Sequence, residues 1–198
     1  MKMGSFVLGY HGCDRDVAEE LLAGSSKFKA SENDHDWLGH GVYFWENNPR
    51  RAMHWAQFMA DHPKFQRRVK TPAVVGAVLD MGNCLDLTET TSLELVHKSY
   101  YILKQFYENQ NLVLPENRPA FEGDEDLIQR CLDCAVINIV HDLRRADGFE
   151  EFQTVRGVFL EGGQLFPGSA IRNKTHIQIC VRDLQNIRGV FRVDELDL

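Results

Sequence analysis

One short stretch organises this chain, and it reads GHGVYFWENNPRRAMHWA over residues 39–56. Gly39 and Gly41 let the backbone adopt conformations, or approach a ligand, in ways that a Cβ atom would obstruct. The aromatic run that follows predicts a short strand. Asn47 or Asn48 can cap the next helix, in which a proline suits the first turn. The stretch therefore predicts a strand and a helix joined at a glycine-lined edge.

The size, composition and charge of the chain narrow the classes of protein to consider. Its 198 residues, 43% hydrophobic and 26% charged, predict a single globular domain over residues 1–198. The net charge of −7 disfavours duplex nucleic acid as a partner, because no distributed basic face can displace counterions. No apolar run reaches the length of a membrane span and the N-terminus lacks a signal-peptide pattern, so we expect a cytoplasmic protein without a membrane partner.

The five cysteines are an odd number without the spacing of a disulfide framework, which indicates reduced thiols. Cys131 and Cys134 form a CxxC pair, but the surrounding sequence IQRCLDCAVINIV is typical of a buried helix and no second pair exists. We therefore expect packing rather than a metal site. Cys13 precedes a predicted helix, whose N-terminus would lower the thiol pKa. Thiol chemistry through Cys13, with His11 or His40 as partner, is thus a minor hypothesis.

Outward from the central stretch, strand-like and helix-like segments alternate. Residues 5–10 form an apolar strand that runs into His11 and Gly12, and Asp14 can cap a helix over residues 14–23. The middle of the chain is helical in its spacing of apolar residues. Further strand patterns cover residues 73–80, 155–161, 175–181 and 189–193.

Three segments, in this order, resemble the PARP-like branch of the ADP-ribosyltransferases. The segment YHGCDRDVAEELLAG is similar to the family's HGS motif and its helix, and GHGVYFWENNPRRAMHWA is similar to its GKGIYF motif. HIQICVRDLQNI resembles the third motif. Counting back five places from Asp183 puts Gln178 where the family has its catalytic Glu. Residues 63–154 carry no part of the resemblance.

The resemblance implies a fold and an activity. The fold would be α+β, with two small, largely antiparallel split sheets around an NAD cleft and a helical insertion at about residues 91–143. NAD would serve as substrate in mono-ADP-ribosyl transfer to an unidentified macromolecular or small-molecule acceptor, with release of nicotinamide. An alternative is a catalytically inactive module of the same fold that only binds NAD or ADP-ribose, since the family's Glu is missing.

Residue by residue, the resemblance implies His11, Tyr43 and Gln178 as the catalytic set. His11 would hydrogen-bond a ribose hydroxyl of the adenosine half, and Gly12 would offer its backbone N–H and C=O to the nicotinamide carboxamide. Tyr43 would stack on the nicotinamide ring. The family's second stacking tyrosine falls at His54, with neighbouring Trp55 as the rival for that role.

Further residues stay open at this point. Glu161 could enter the cleft and replace the missing carboxylate, so either Gln178 or Glu161 holds the catalytic position; alternatively, Glu161 is a solvated strand-end charge. His176 stands two places before Gln178, where it would serve the acceptor or be an edge-strand polar residue. The polar loop of residues 25–36, which leads into Trp37, predicts a mobile cover over the site.

Overall fold

A computed structural model describes residues 5–62, 68–119 and 126–194 of the chain. Within these residues the fold is α+β, with four α-helices and nine β-strands. The helices are α1 (Arg15–Leu22), α2 (Pro49–Asp61), α3 (Thr90–Asn109) and α4 (Cys131–Ala146). The strands are β1 (Phe6–Asp14), β2 (Val42–Glu46), β3 (Pro72–Asp80), β4 (Cys84–Asp86), β5 (Asn117–Arg118), β6 (Gln129–Arg130), β7 (Thr154–Phe159), β8 (His176–Val181) and β9 (Ile187–Arg192).

Seven of these strands form one mixed sheet in the order β4-β7-β8-β2-β1-β3-β9, and β5 pairs only with β6. Neighbours are antiparallel except β4 and β7, which run parallel. We expected two small sheets, so the single large sheet is a correction. The sequence of residues 85–87 also fits an extension of β3 or a strand paired with it, but the structure pairs β4 with β7 at the other edge of the sheet.

The junction between β1 and β2 is the weakest pairing in the sheet. It consists of two residue pairs, Gly9 with Glu46 and Tyr10 with Trp45. On its other side, β1 pairs with β3 along its whole length. The pairing of β1 with β2 ends at Tyr10, and we call the region between the two strands beyond this point the seam. The seam lies between the end of β1 that carries His11 and the start of β2.

Helices cover the two faces of the sheet. On one face α1 packs over Val75 and Cys13. On the other face α2 packs against Trp45 and Val74, while α4 covers the strands β4, β7 and β8 through a cluster of Leu38, Leu85, Ile137, Val140, Val155 and Cys180. No helix among the described residues is both long and apolar enough to cross a bilayer.

The central stretch folds as its pattern predicts. Gly39 has a φ of 80°, a conformation that side chains disfavour. Asn48, one of the two predicted caps, accepts a hydrogen bond from the Arg51 backbone N–H at 3.0 Å and so begins α2. In the region predicted as a helical insertion, α3 and α4 flank the short β5–β6 pair. Residues 120–125 of that region lie outside the described residues.

Candidate functional site

His11 lies on β1 at the seam, and its ring is oriented across it. Its Nδ1 lies 2.8 Å from the carbonyl oxygen of Tyr43. Because a carbonyl only accepts, Nδ1 must donate, which leaves Nε2 of the neutral ring as an acceptor. Burial lowers the pKa of His11 and thus favours this neutral form, although the bond to Tyr43 opposes the shift. Phe28 and Phe44 hold the ring from the sides.

Gly12 presents its backbone polar groups to the seam. Backbone groups alternate in direction along a strand. The backbone N–H of Arg15 donates to the Thr71 carbonyl on the β3 side at 2.8 Å. The Leu8 carbonyl accepts from the backbone N–H of Asn47 on the β2 side at 2.9 Å. Gly12 is an even number of residues from Leu8, so its N–H and C=O point towards β2, beyond the last β1–β2 pair. A donor and an acceptor therefore face the seam side by side.

The requirement for glycine at position 12 has a second cause. A Cβ atom at Gly12 would lie 2.2 Å from the carbonyl oxygen of Ala52 and 3.3 Å from Cβ of Ala56. Both belong to α2, which crosses β1 at this point. A Gly12→Val substitution would obstruct the approach of a ligand to the backbone. The contact with α2 means that this variant would also displace a helix, so it is not a clean test of binding.

Tyr43 is anchored through its hydroxyl group. The hydroxyl donates to the Gly39 carbonyl at 2.8 Å and accepts from the Leu38 backbone N–H at 2.9 Å. Burial is the main cause that raises the pKa of Tyr43 well above its ordinary value. The ring packs on the core cluster that contains Leu38 and Cys180. Tyr43 therefore fixes the loop before β2 in place, whatever else its ring contacts.

Strand pairing decides which of the predicted side chains share a face. Tyr43 lies opposite Cys180, and Trp45 lies opposite Gln178. Side chains of paired residues lie on the same face of a sheet, so Tyr43 and Gln178 share a face. Trp45 also pairs with Tyr10, which puts the next residue, His11, on the opposite face. The structure thus places Tyr43 and Gln178 on the same face, whereas His11 lies on the opposite face and contacts the Tyr43 backbone carbonyl.

Gln178 is covered by Trp37. The Trp37 indole N–H donates to the side-chain oxygen of Gln178 at 2.7 Å. The indole also lies over Gly157, where an added Cβ would come within 2.8 Å of it. The Arg130 guanidinium lies 5.1 Å from the centroid of the Trp37 ring and 4.2 Å from that of Phe159. The loop predicted as a cover therefore ends in a side chain that contacts the predicted catalytic position directly.

Glu161 forms a buried ion pair with Arg51. The Arg51 Nη2 lies 2.5 Å from the Glu161 carboxylate, and both side chains are nearly inaccessible to solvent. Breaking such a pair leaves an uncompensated buried charge and typically costs about 3–5 kcal/mol. The sequence-based alternative of a solvated strand-end charge is therefore wrong for Glu161. Its carboxylate is committed to a cation from α2.

His176 is buried beside this ion pair. Only 5% of its surface is exposed, and β8 lies between β7 and β2, so the alternative of an edge-strand polar residue is wrong. Its Nδ1 lies 2.6 Å from the Lys174 carbonyl and must donate to it. Burial lowers the pKa of His176 to about 4, and the charges of Arg51 and Arg130 also lower it. His176 is therefore neutral near pH 7, with Nε2 as an acceptor.

His54 and Trp55, the two candidates for the second stacking position, lie next to each other on α2 but differ in exposure. His54 is exposed on α2. Trp55 is half-buried, and its ring lies 6.1 Å from that of Trp45 on the sheet. In this conformation Trp55 contacts the face that carries Tyr43 and Gln178, whereas His54 faces away from it.

The cysteines behave as core residues. Cys13 is buried, and burial with the nearby Asp14 charge raises its thiol pKa to about 12. The predicted lowering by the helix N-terminus was wrong, which removes the physical basis for thiol chemistry. Cys131 and Cys134 are buried free thiols at the start of α4. No group of His, Cys, Asp or Glu in the described part of the chain has an arrangement that could hold a metal ion.

Two cavities lie near the sheet. The one that includes a predicted site residue has a volume of about 220 Å³ and is lined by His11, Val17, Glu20, Leu21, Ser26, Lys27, Phe28 and Lys29. The larger one, of about 520 Å³, is lined by acidic residues around Arg156, which binds Glu46 and Asp86. It contains none of the predicted site residues, and three of its charged groups, Arg156, Glu46 and Asp86, already pair with one another.

The sequence analysis missed four residues of this region: Trp45, Arg51, Arg130 and the hydrogen-bonding role of Trp37. Trp45 and Arg51 lie inside the central stretch. The aromatic run explained Trp45 as a packing residue of a strand, and the helical spacing placed Arg51 on the surface of a helix. Arg130 immediately precedes a helix that was considered only for its cysteines. A buried role for Arg51 becomes visible only when Glu161 is brought beside it.

Comparison with known proteins finds a distant relative. An uncharacterized protein of Methanocaldococcus jannaschii is 27% identical to this chain over 152 residues. The match covers 76% of this chain and 63% of that protein, so the chain spans less than two thirds of the relative's length. No family profile and no solved structure matches the chain. The residues of the seam and of β8 are therefore the basis for inferring a function.

Proposed function

We propose that this protein is an NAD-dependent mono-ADP-ribosyltransferase, a glycosyltransferase of the PARP-like type, with NAD bound at the seam. The observation that carries the proposal is the direction of the Gly12 backbone. A carboxamide needs one donor and one acceptor side by side, and Gly12 offers this pair where β1 and β2 separate.

The surroundings of His11 support a place for the adenosine half. Its Nε2 is an acceptor, and a ribose hydroxyl is a donor. The cavity beside it, at about 220 Å³, is smaller than the roughly 300–1,000 Å³ of sites that take a whole drug-sized ligand. It therefore suits one part of NAD. Lys27 and Lys29 line the same cavity and would lie near the negatively charged diphosphate.

Gln178 limits the rate of the proposed reaction. Breaking the bond between nicotinamide and ribose develops positive charge on the sugar, which a carboxylate would stabilise and a glutamine cannot. Losing one such contact typically costs on the order of 3–4 kcal/mol, or roughly 10²–10³ in rate. We therefore expect slow hydrolysis of NAD and a single transfer without chain elongation. The side-chain oxygen of Gln178 has a second lone pair beside the bond from Trp37, and this can accept from the ribose 2′-hydroxyl.

A second function, an inactive module that binds NAD or ADP-ribose, is favoured by a different observation. Trp37 covers Gln178, and Arg51 neutralises Glu161. No free carboxylate is therefore offered at either of the two candidate positions. The two functions differ only in whether nicotinamide is released.

The proposal is tested by incubating the pure full chain with NAD labelled on the adenine, alone and with a cell lysate. If the protein transfers ADP-ribose, nicotinamide is released and a lysate component becomes labelled. A His11→Gln variant should bind NAD more weakly. The exposed His97 on α3 provides the matched control, because His97→Gln should bind like the parent. Binding without nicotinamide release would establish the inactive module. If a folded chain binds neither NAD nor ADP-ribose, both functions are refuted.

A further inference from the structure

Three buried polar atoms lie together beside Gln178 without a hydrogen-bond partner among the described residues: Trp45 Nε1, Arg51 Nε and His176 Nε2. Trp45 is 4% exposed and His176 5% exposed, and their ring centroids are 6.2 Å apart. Arg51 belongs to the same cluster. Its ion-pair partner Glu161 lies two residues after the end of β7, where Phe159 pairs with His176. Unpaired buried groups are rare in native proteins, and each calls for an explanation.

The chemistry of the three atoms is complementary to one kind of group. Trp45 Nε1 and Arg51 Nε can only donate a hydrogen bond. His176 Nε2 can only accept one, because Nδ1 donates to the Lys174 carbonyl. A hydroxyl oxygen satisfies this set, since it accepts two hydrogen bonds and donates one. A carbonyl or carboxylate would leave His176 without a donor, and an ammonium group would be opposed by the two N–H groups.

We infer that Trp45, Arg51 and His176 form an internal site for one hydroxyl oxygen, supplied by water or by an alcohol. The site adjoins Gln178, because His176 and Gln178 alternate on one face of β8 and residues two apart on a strand are roughly 7 Å apart. Glu161 keeps Arg51 in place on one side. The Trp45 ring packs against α2 on the other.

If the proposed function holds, on which this step rests, the hydroxyl at this site belongs to the acceptor. The nicotinamide–ribose bond then breaks with its electron pair going to nicotinamide. The hydroxyl oxygen forms the new bond to the ribose carbon, and its proton passes to His176 Nε2. The class of acceptor is therefore an alcohol, such as a serine side chain or a sugar, rather than an amine or a guanidinium group.

The site itself is tested by NMR on the ¹⁵N-labelled full chain, through magnetisation transfer from water to the indole N–H protons. Trp45 should show a contact with bound water, and Trp37, whose N–H is bonded to Gln178, should show none. His176→Phe should abolish the Trp45 contact, whereas His97→Phe, the same change at an exposed histidine, should leave it intact. Should His176→Phe not fold, Arg51→Lys removes Nε while it keeps the charge opposite Glu161. A Trp45 indole without a water contact in the parent, or a contact unchanged in the folded variants, would overturn the site.

The acceptor class is tested with small probes in place of the unknown acceptor. Methanol and agmatine are each added to the chain with NAD, and the products are separated. We expect O-methyl ADP-ribose from methanol, at least tenfold less of it with His176→Phe, and no product from agmatine. Product from agmatine but not from methanol would overturn the assignment of a hydroxyl acceptor. If no nicotinamide is released under any condition, the proposed function fails, while the NMR result still decides the hydroxyl site.

Discussion

The two ends of the candidate site differ in how far the protein itself occupies them. At the seam, the His11 ring presents an acceptor nitrogen. Gly12 presents its backbone N–H and C=O, which point away from β3. On β8, the Trp37 indole already binds Gln178 and α4 with its neighbours covers the strand. The difference teaches that binding at the seam and chemistry at Gln178 have separate requirements. The seam offers the polar groups of His11 and Gly12 to a ligand, whereas Gln178 must share its oxygen with Trp37.

The largest expected effect concerns Gln178, on the covered side. Gln178→Ala should abolish transfer, by at least roughly 10²–10³ in the single-turnover rate, because it removes the contact to the ribose at the reacting centre. Gln178→Glu should keep the Trp37 hydrogen bond and raise NAD turnover. Gln185→Ala, a change at an exposed glutamine after β8, is the matched control. If Gln178→Ala transfers as well as the parent, Glu161 holds the catalytic position and Arg51 must release it.

The second effect is a pH dependence of the stability that arises from buried His141 on the covered side. His141 on α4 is fully buried with both ring nitrogens unpartnered among the described residues. Burial lowers its pKa to about 3, against about 6.5 in the unfolded chain. The unfolded state therefore binds the proton first, and the stabilisation from neutral His141 is complete above pH 6.5 and lost as the pH falls towards 3.

Lowering the pH from 7 to 5 should accordingly reduce the free energy of unfolding by about 2 kcal/mol through His141 alone. Urea unfolding at several pH values measures this loss. His141→Leu should remove that part of the pH dependence, and His97→Leu on exposed α3 should not. Equal slopes in the parent and His141→Leu would show that His141 gains a partner in solution.

The third effect tests the ring of Tyr43 at the edge of the seam. Tyr43→Ala should weaken NAD binding at least tenfold, about 1.4 kcal/mol, if the ring stacks on nicotinamide. The hydroxyl bonds to Gly39 and Leu38 mean that this variant also loosens the loop before β2. Tyr43→Phe separates the two causes, because it keeps the ring and loses only those bonds. Calorimetric titration with NAD should find Tyr43→Phe close to the parent, and equal loss in both variants would assign the effect to the loop.

The sequence predicted the local elements well and the long-range contacts poorly. The cap at Asn48 and the strand His176–Val181 depend on neighbouring residues, so their patterns identify them. The hydrogen bond from Trp37 to Gln178 joins residues 141 positions apart, and that from Arg51 to Glu161 spans 110. Neither hydrogen bond produces a periodic pattern in the sequence. The joining of all seven strands into one sheet likewise depends on only two pairs between β1 and β2.

The most direct measurement is a crystal structure of the full chain with NAD. The account predicts the nicotinamide carboxamide within about 3 Å of the Gly12 N–H and C=O, a ribose hydroxyl on His11 Nε2, and Gln178 beside the nicotinamide ribose. NAD bound elsewhere, for instance in the cavity around Arg156, with the Gly12 groups still unoccupied, would contradict it.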